Sequence, residues 1–208
     1  VVNHPNRKKL PSVIGYHFTA DKLRDGSAIP RKGRWLKHTG ELSMCSAGLH
    51  GSLHPFDALQ YAPGELLHLC EFRGETLHHS DKLCAAERKI IATIDSTELC
   101  RAFARRCALD VIHLWDAPDI VRRYLESGDE SLRSAARSAA ESAARSAAES
   151  AAWSAARSAA RSAARSAADS AAESAADSAV EAAQRRDFYM RVQAAFAAIG
   201  VTVAEEPK

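Results

Sequence analysis

The chain has 208 residues, a net charge of +2 and 46% hydrophobic residues. That length holds one domain of ordinary size plus an appendage. The near-balanced charge, with no basic stripe interleaved with aromatics, gives nucleic acid no footing, and no apolar run reaches the roughly 18 residues of a membrane span.

The opening segment VVNHPNRKKL lacks the apolar core of a signal peptide, so a cytoplasmic protein is expected. Residues 1–11 read as an arm. All nine histidines and all five cysteines lie at or before His113, which divides the chain into a chemically varied front and a monotonous back. Cys45, Cys70, Cys84, Cys100 and Cys107 are odd in number and contain no CxxC pair. They read as buried thiols in a reducing compartment, with neither a disulfide framework nor a cysteine zinc site.

The front, residues 12–128, predicts an α+β module. SVIGYHFT at 12–19, GELLHLCEF at 64–72 and KIIATID at 89–95 suit strands, and DGSAIPRKG is loop by its Gly and Pro content. HPFDALQYA at 54–62 suits a short helix with Pro55 in its first turn. His78 and His79 with Asp81 have metal-ligating side chains, but adjacent histidines on a strand point to opposite faces, so a solvated turn is expected.

After Asp95 the texture becomes helical. Ser96 or Thr97 can cap the segment STELCRAFARRCALDVIHLWD, with Glu98 beside its positive end. Leu99, Phe103, Cys107 and Val111 recur at four-residue spacing. His113, Trp115 and Asp116 read as a helix end with Trp115 in the core. PDIVRRYLESG is a further helix, terminated by Gly128.

From Arg133 to Gln184 the sequence is thirteen xSAA tetrads, departing from the pattern only at Val180, Ala182 and Gln184. Alanine is the best helix former and serine costs only tenths of a kcal/mol. One continuous helix over 129–199, about 70 residues and roughly 100 Å long, is therefore expected, with 200–208 as a tail. The fold class is an α+β head followed by one very long Ala/Ser-rich α-helix.

The tetrad charges mix early and then segregate: Arg157, Arg161 and Arg165 precede Asp169, Glu173 and Asp177. Within one helix this order sets like charges at i and i+4, each pair unfavourable by roughly 0.2–0.5 kcal/mol. Two antiparallel copies would instead align Arg165 with Asp169, Arg161 with Glu173 and Arg157 with Asp177. Trp153 would pin the register, and the apolar row Phe188, Val192, Phe196 must bury on the chain's own front or on a neighbour. A tetrad advances a helix by about 400°, so no fixed alanine face persists and packing among several neighbours fits better than a two-stranded coil. The expectation is a structural, self-associating homo-oligomer, a filament or tube, with no cofactor. A stiff spacer is the plainer use of such a repeat.

GYHFTADKLRDG, GLHGSLHPFDALQYA and GELLHLCEF together resemble an uncharacterised family of phage and bacterial proteins that join such a module to alanine-rich repeats. More distantly, the order of these segments resembles the core of ADP-ribosyltransferases. That resemblance implies an enzyme or NAD-binding module on a helical stalk, with His17 holding the ribose and Ser52 in the second motif's frame. His50 stands where that group has its nicotinamide-stacking tyrosine. For the later glutamate, Glu71, Glu75 and Glu87 are all candidates.

Overall fold

The computed structural model describes residues 11–158 and 166–203, with side chains described over 11–146 and 178–203. The strands are β1 (Ser12–Thr19), β2 (Trp35–Lys37), β3 (Leu49–Gly51), β4 (Leu66–His78) and β5 (Leu83–Asp95). The helices are α1 (Pro55–Leu59), α2 (Thr97–Asp110), α3 (Asp119–Ser127), α4 (Arg133–Ser158) and α5 (Ser166–Ala198). They form two compact units: the strands, α1 and the end of α5 from Arg186 in one, and α2 from Leu99, α3, α4 and the start of α5 in the other.

In the strand unit all pairing is antiparallel, in the order β1-β4-β5-β2, with β3 also on β5. Past β3 the chain reaches β1, where Tyr16 and Ser52 exchange backbone bonds of 2.7 and 2.9 Å. The pairings β1-β4-β5-β3-β1 therefore make a closed circuit, with β2 outside it as an edge strand on β5. Two glycines permit the closure. A Cβ on Gly15 would lie 2.7 Å from Ser52 O, and one on Gly51 would lie 2.9 Å from Tyr16 O and overlap the Phe72 ring. Inside, Cys70, Phe72, Leu83, Ala85 and Ile90 form a buried cluster joined by Val13, Ile29 and Leu53.

Alternation sends Tyr16 and Phe18 of β1, and Leu67 and Leu69 of β4, to the opposite face, where all four are buried. There α1 lies on β1 and meets the end of α5: Phe56 packs edge-on to Phe188, centroids 6.0 Å apart, and His54 stacks on Tyr189 at 5.3 Å. His54 also caps α1, its Nδ1 accepting from Phe56 N at 3.1 Å. Phe188, Val192 and Phe196 are fully buried, so the apolar row is used within the chain. Gly200 then ends α5 at φ +73, with Val201 N bonding Phe196 O and Gly200 N bonding Ala197 O. This paired geometry closes the helix with a left-handed glycine, leaving Ile199 exposed.

In the helical unit α3 packs on α4, and Phe103, Ala117, Val121 and Ala136 are its buried apolar residues. Gly128 caps α3 at φ +68 against the Arg105 guanidinium. Trp115 is not core, as its sequence context suggests, but 38% exposed. The chain leaves the turn at Ile112–Leu114 extended at Trp115 and buries Ala117 instead, ahead of Pro118. At the start of α2, Ser96 N and Oγ both bond Glu65 O, and Thr97 N is met by Asp95 Oδ1 at 2.9 Å.

The single very long helix over 129–199 is overturned. Asp129 is extended, Glu130–Leu132 is a 3-10 turn, and the described helical segments are α4 of 26 residues and α5 of 33. The physical reason lies at the ends. The Ala/Ser tract offers no lasting apolar face, so tertiary placement falls to its flanks, and these belong to different units: Ala136 is buried in the unit of α3, and the Phe188 row beside α1 in the strand unit. Among the described residues no helix is long and apolar enough to cross a membrane.

The docking of α5 has a measurable consequence. Phe196→Ala should lower stability to urea by about 3–5 kcal/mol, whereas Met190→Ala, at a 60% exposed site on the same helix, should stay within about 0.5 kcal/mol.

Candidate functional site

One residue of β5 decides which side chains meet inside the sheet. Leu69 pairs with Ala92 but Cys70 with Ile90, leaving Ile91 as a bulge. By strict alternation Arg88 and Thr93 would point to opposite faces; the bulge puts both on the face of His68 and Cys70. His17, paired with His68 across β1 and β4, shares that face, and their rings stack at 6.3 Å.

His68 is fully buried and satisfied at both nitrogens. Thr19 Oγ1 gives its proton to Ala20 O at 2.9 Å, so at 2.8 Å from His68 Nε2 it acts as acceptor. The proton therefore sits on Nε2, and Nδ1 accepts from Thr93 Oγ1 at 2.8 Å. This arrangement fits a neutral ring. Burial, then the Arg88 charge, pulls the His68 pKa down to about 4.

His50, on β3, accepts at Nε2 from Cys45 N at 3.1 Å. Its role is to hold the 45–50 loop, in which Cys45 adopts φ +71. Its carbonyl accepts from Arg88 Nη1 at 2.6 Å. Ser52 works through its backbone in closing β3 onto β1.

His17 differs from its neighbours: among the described residues no hydrogen bond engages its ring. Burial, then Arg88, then His68 and His50 push its pKa well down, so it is neutral as well. Arg88 is 5% exposed, and its buried Nε meets no acceptor among the described residues. Desolvation lowers its own pKa, and Cys70 beside it is pushed up to about 12 by burial. The site thus unites His17, His68 and Arg88 from three adjacent strands, with the His50 carbonyl from a fourth. Arg88 is the residue that the sequence reading missed. The strand assigned at 89–95 began one position after it, and a charged residue opening an apolar run reads as surface.

The glutamates that a transferase would need stand elsewhere. Glu71 pairs with Lys89 at 2.6 Å, and Glu87 with Arg73 at 2.6 Å and Lys37 at 3.0 Å, on the outer face of β4 and β5. Trp35 is clamped there by the Arg73 guanidinium, 3.7 Å from its ring centroid, and by Lys89 Nζ at 4.6 Å. Glu75 is exposed beside the Gly74 turn. His79 and Asp81 form a surface pair at 3.1 Å, and Asp81 accepts from Tyr61 Oη; no cluster with metal-binding geometry occurs among the described residues. Cys70 and Cys84 are buried, Cys100 and Cys107 half-buried and Cys45 exposed, none in a disulfide.

Of the residues assigned to self-association, Arg161 and Arg165 lie outside the described residues. Trp153 and Arg157 fall in α4, and Asp169, Glu173 and Asp177 in α5, with their side chains outside the description. In the described part of the tract, Arg137 pairs with Glu141 one turn on, at 2.9 Å.

Residues 13–102 match the family model of a domain of unknown function, DUF7666. The match covers every strand, and with them His17, His50, His68 and Arg88. No curated protein and no solved structure matches the chain.

The neutral imidazoles make stability pH-dependent. His68 binds its proton at about pH 6.5 unfolded but only near 4 folded, so the unfolded state holds more protons between these values. Stability is full above pH 6.5 and falls as the pH drops toward 4, by about 3 kcal/mol from this residue. In urea titrations across that range, His68→Gln should flatten the acid-side loss by about that amount.

Proposed function

We propose that the strand unit is a binding module for a nucleotide-type ligand seated at His17, carried on Ala/Ser-rich helices. The observation that supports this reading is the convergence of His17 with Arg88 and His68 from three strands of the DUF7666 region. It gathers polar groups within an otherwise apolar interior. The ADP-ribosyltransferase resemblance suggests NAD or ADP-ribose as the ligand to try first.

Binding is favoured over group transfer. His50, at the position of the stacking aromatic, has its ring committed to the loop backbone. Glu71 and Glu87 are held in ion pairs on the far side of the sheet. A transferase needs a carboxylate facing the ribose, and neither residue faces His17. Isothermal titration of the full chain with NAD and with ADP-ribose should give saturable binding that His17→Ala weakens by at least about tenfold, without nicotinamide release. Heats of dilution alone for both nucleotides would sink the reading.

A second reading, self-association through the Ala/Ser segments, is favoured by the charge order of the tract, where three arginines precede four acids at four-residue spacing. Charge-paired association weakens with salt. Sedimentation velocity of the full chain should then show a mass that rises with concentration and falls with added salt; a concentration-independent monomer would remove this reading.

A further inference from the structure

We infer that Arg88 and His17 form a receptor for a tetrahedral oxyanion of the phosphate class. The inference rests on the reading that the unit binds its ligand at His17, and it names the chemical group that this part of the site takes.

A buried guanidinium is costly unless paired, by several kcal/mol even after relaxation. Arg88 is 5% exposed, and the groups around it are His17, His50, His68 and the Cys70 thiol, none of them anionic. The carboxylates on neighbouring positions, Glu71 and Glu87, face outward and are paired with Lys89, Arg73 and Lys37. Among the described residues the only acceptor that Arg88 meets is the His50 carbonyl, at Nη1. One neutral dipole does not offset a desolvated full charge.

The guanidinium's geometry narrows the ligand. With Nη1 engaged by His50 O, the edge left over is the one carrying Nε, whose N–H lies parallel to one on Nη2. That edge is the fork which grips two oxygens of a carboxylate or phosphate at once. A carboxylate would use both oxygens on the fork. A phosphate keeps further oxygens out of the fork's plane, and His17, whose ring is otherwise without a hydrogen bond among the described residues, is the group placed to donate to one.

The test uses the full chain and inorganic phosphate, with sodium chloride at equal ionic strength as the blank. Phosphorus NMR titration and thermal unfolding should report saturable binding and a rise in Tm for the unmodified chain. Arg88→Met, which removes the buried charge at similar volume, should lose the binding at least about tenfold, and Arg88→Lys, which keeps the charge without the fork, should weaken it clearly. His17→Ala supplies an independent loss should Arg88→Met not fold. A phosphate response no greater than that to chloride, or one unchanged in both Arg88 variants, overturns the inference and leaves Arg88 as a strap on the β3 carbonyl. Nucleotide binding that ignores the Arg88 variants likewise overturns it while leaving the binding module standing. Phosphate binding without nucleotide binding supports the receptor and removes the nucleotide.

Discussion

The register of the β4/β5 hairpin governs what this molecule can do. Both strands have thirteen residues, and two irregularities interrupt their pairing: the bulge at Ile91, and a second between Arg73 and Thr76, where Gly74 takes φ +83. Each changes which residues face inward. Between them lies the segment in which Cys70, Phe72, Arg88 and Ile90 point into the closed strand circuit while Glu71, Arg73, Glu87 and Lys89 form the outer charge ladder. The bulge at Ile91 sets the phase of β5 so that Arg88 and Thr93 share the inner face, while Glu87 and Lys89 stay on the outer one.

That interior is polar at one end and dry at the other. At the dry end Phe72 fills the space beneath Gly15 and Gly51, and no larger residue fits at either glycine. At the polar end the fold keeps every titratable group but one in its neutral form. His68 is locked by two threonines, His50 by its own loop, and Cys70 by burial. These groups tune the field around Arg88 without cancelling it. A charge held this way strengthens its interaction with any anion that reaches it, because the surroundings screen so little.

The sequence made part of this legible. The apolar and aromatic residues of SVIGYHFT located β1 to its ends, with Ile14, Tyr16 and Phe18 on one face and Val13, Gly15, His17 and Thr19 on the other. It also placed His17 and His50 among the candidates. The full lengths of β4 and β5 were hidden, since RGETLHH and LCAAER belong to a hairpin whose outward residues are charged and whose alternation is broken at Gly74. β2 and β3, three residues each, carry no periodicity to read. Arg88 was invisible for a sharper reason. That it shares a face with Thr93 depends on the bulge at Ile91, and no local pattern announces a bulge at an isoleucine. His50 was legible as a position but not as a role, because its partners are backbone atoms of its own loop.

The repeat tract marks the opposite limit. Local propensity is a strong guide to helix there, and the described segments are helical, yet propensity says nothing about where a helix ends or what it lies against. Those outcomes depend on the few residues that are neither Ala nor Ser. Asp129 accepts from Ser131 N and starts a 3-10 turn, α3 packs on α4 with Ala136 buried, and four-residue spacing at the far end makes Phe188, Val192 and Phe196 one buried row. The end of α5 thereby meets α1, with Phe188 edge-on to Phe56 and Tyr189 stacked on the cap residue His54. Helix α1 in turn lies on β1, whose Tyr16 and Phe18 are buried on the face opposite His17, so the end of α5 is fastened to the strand unit through α1.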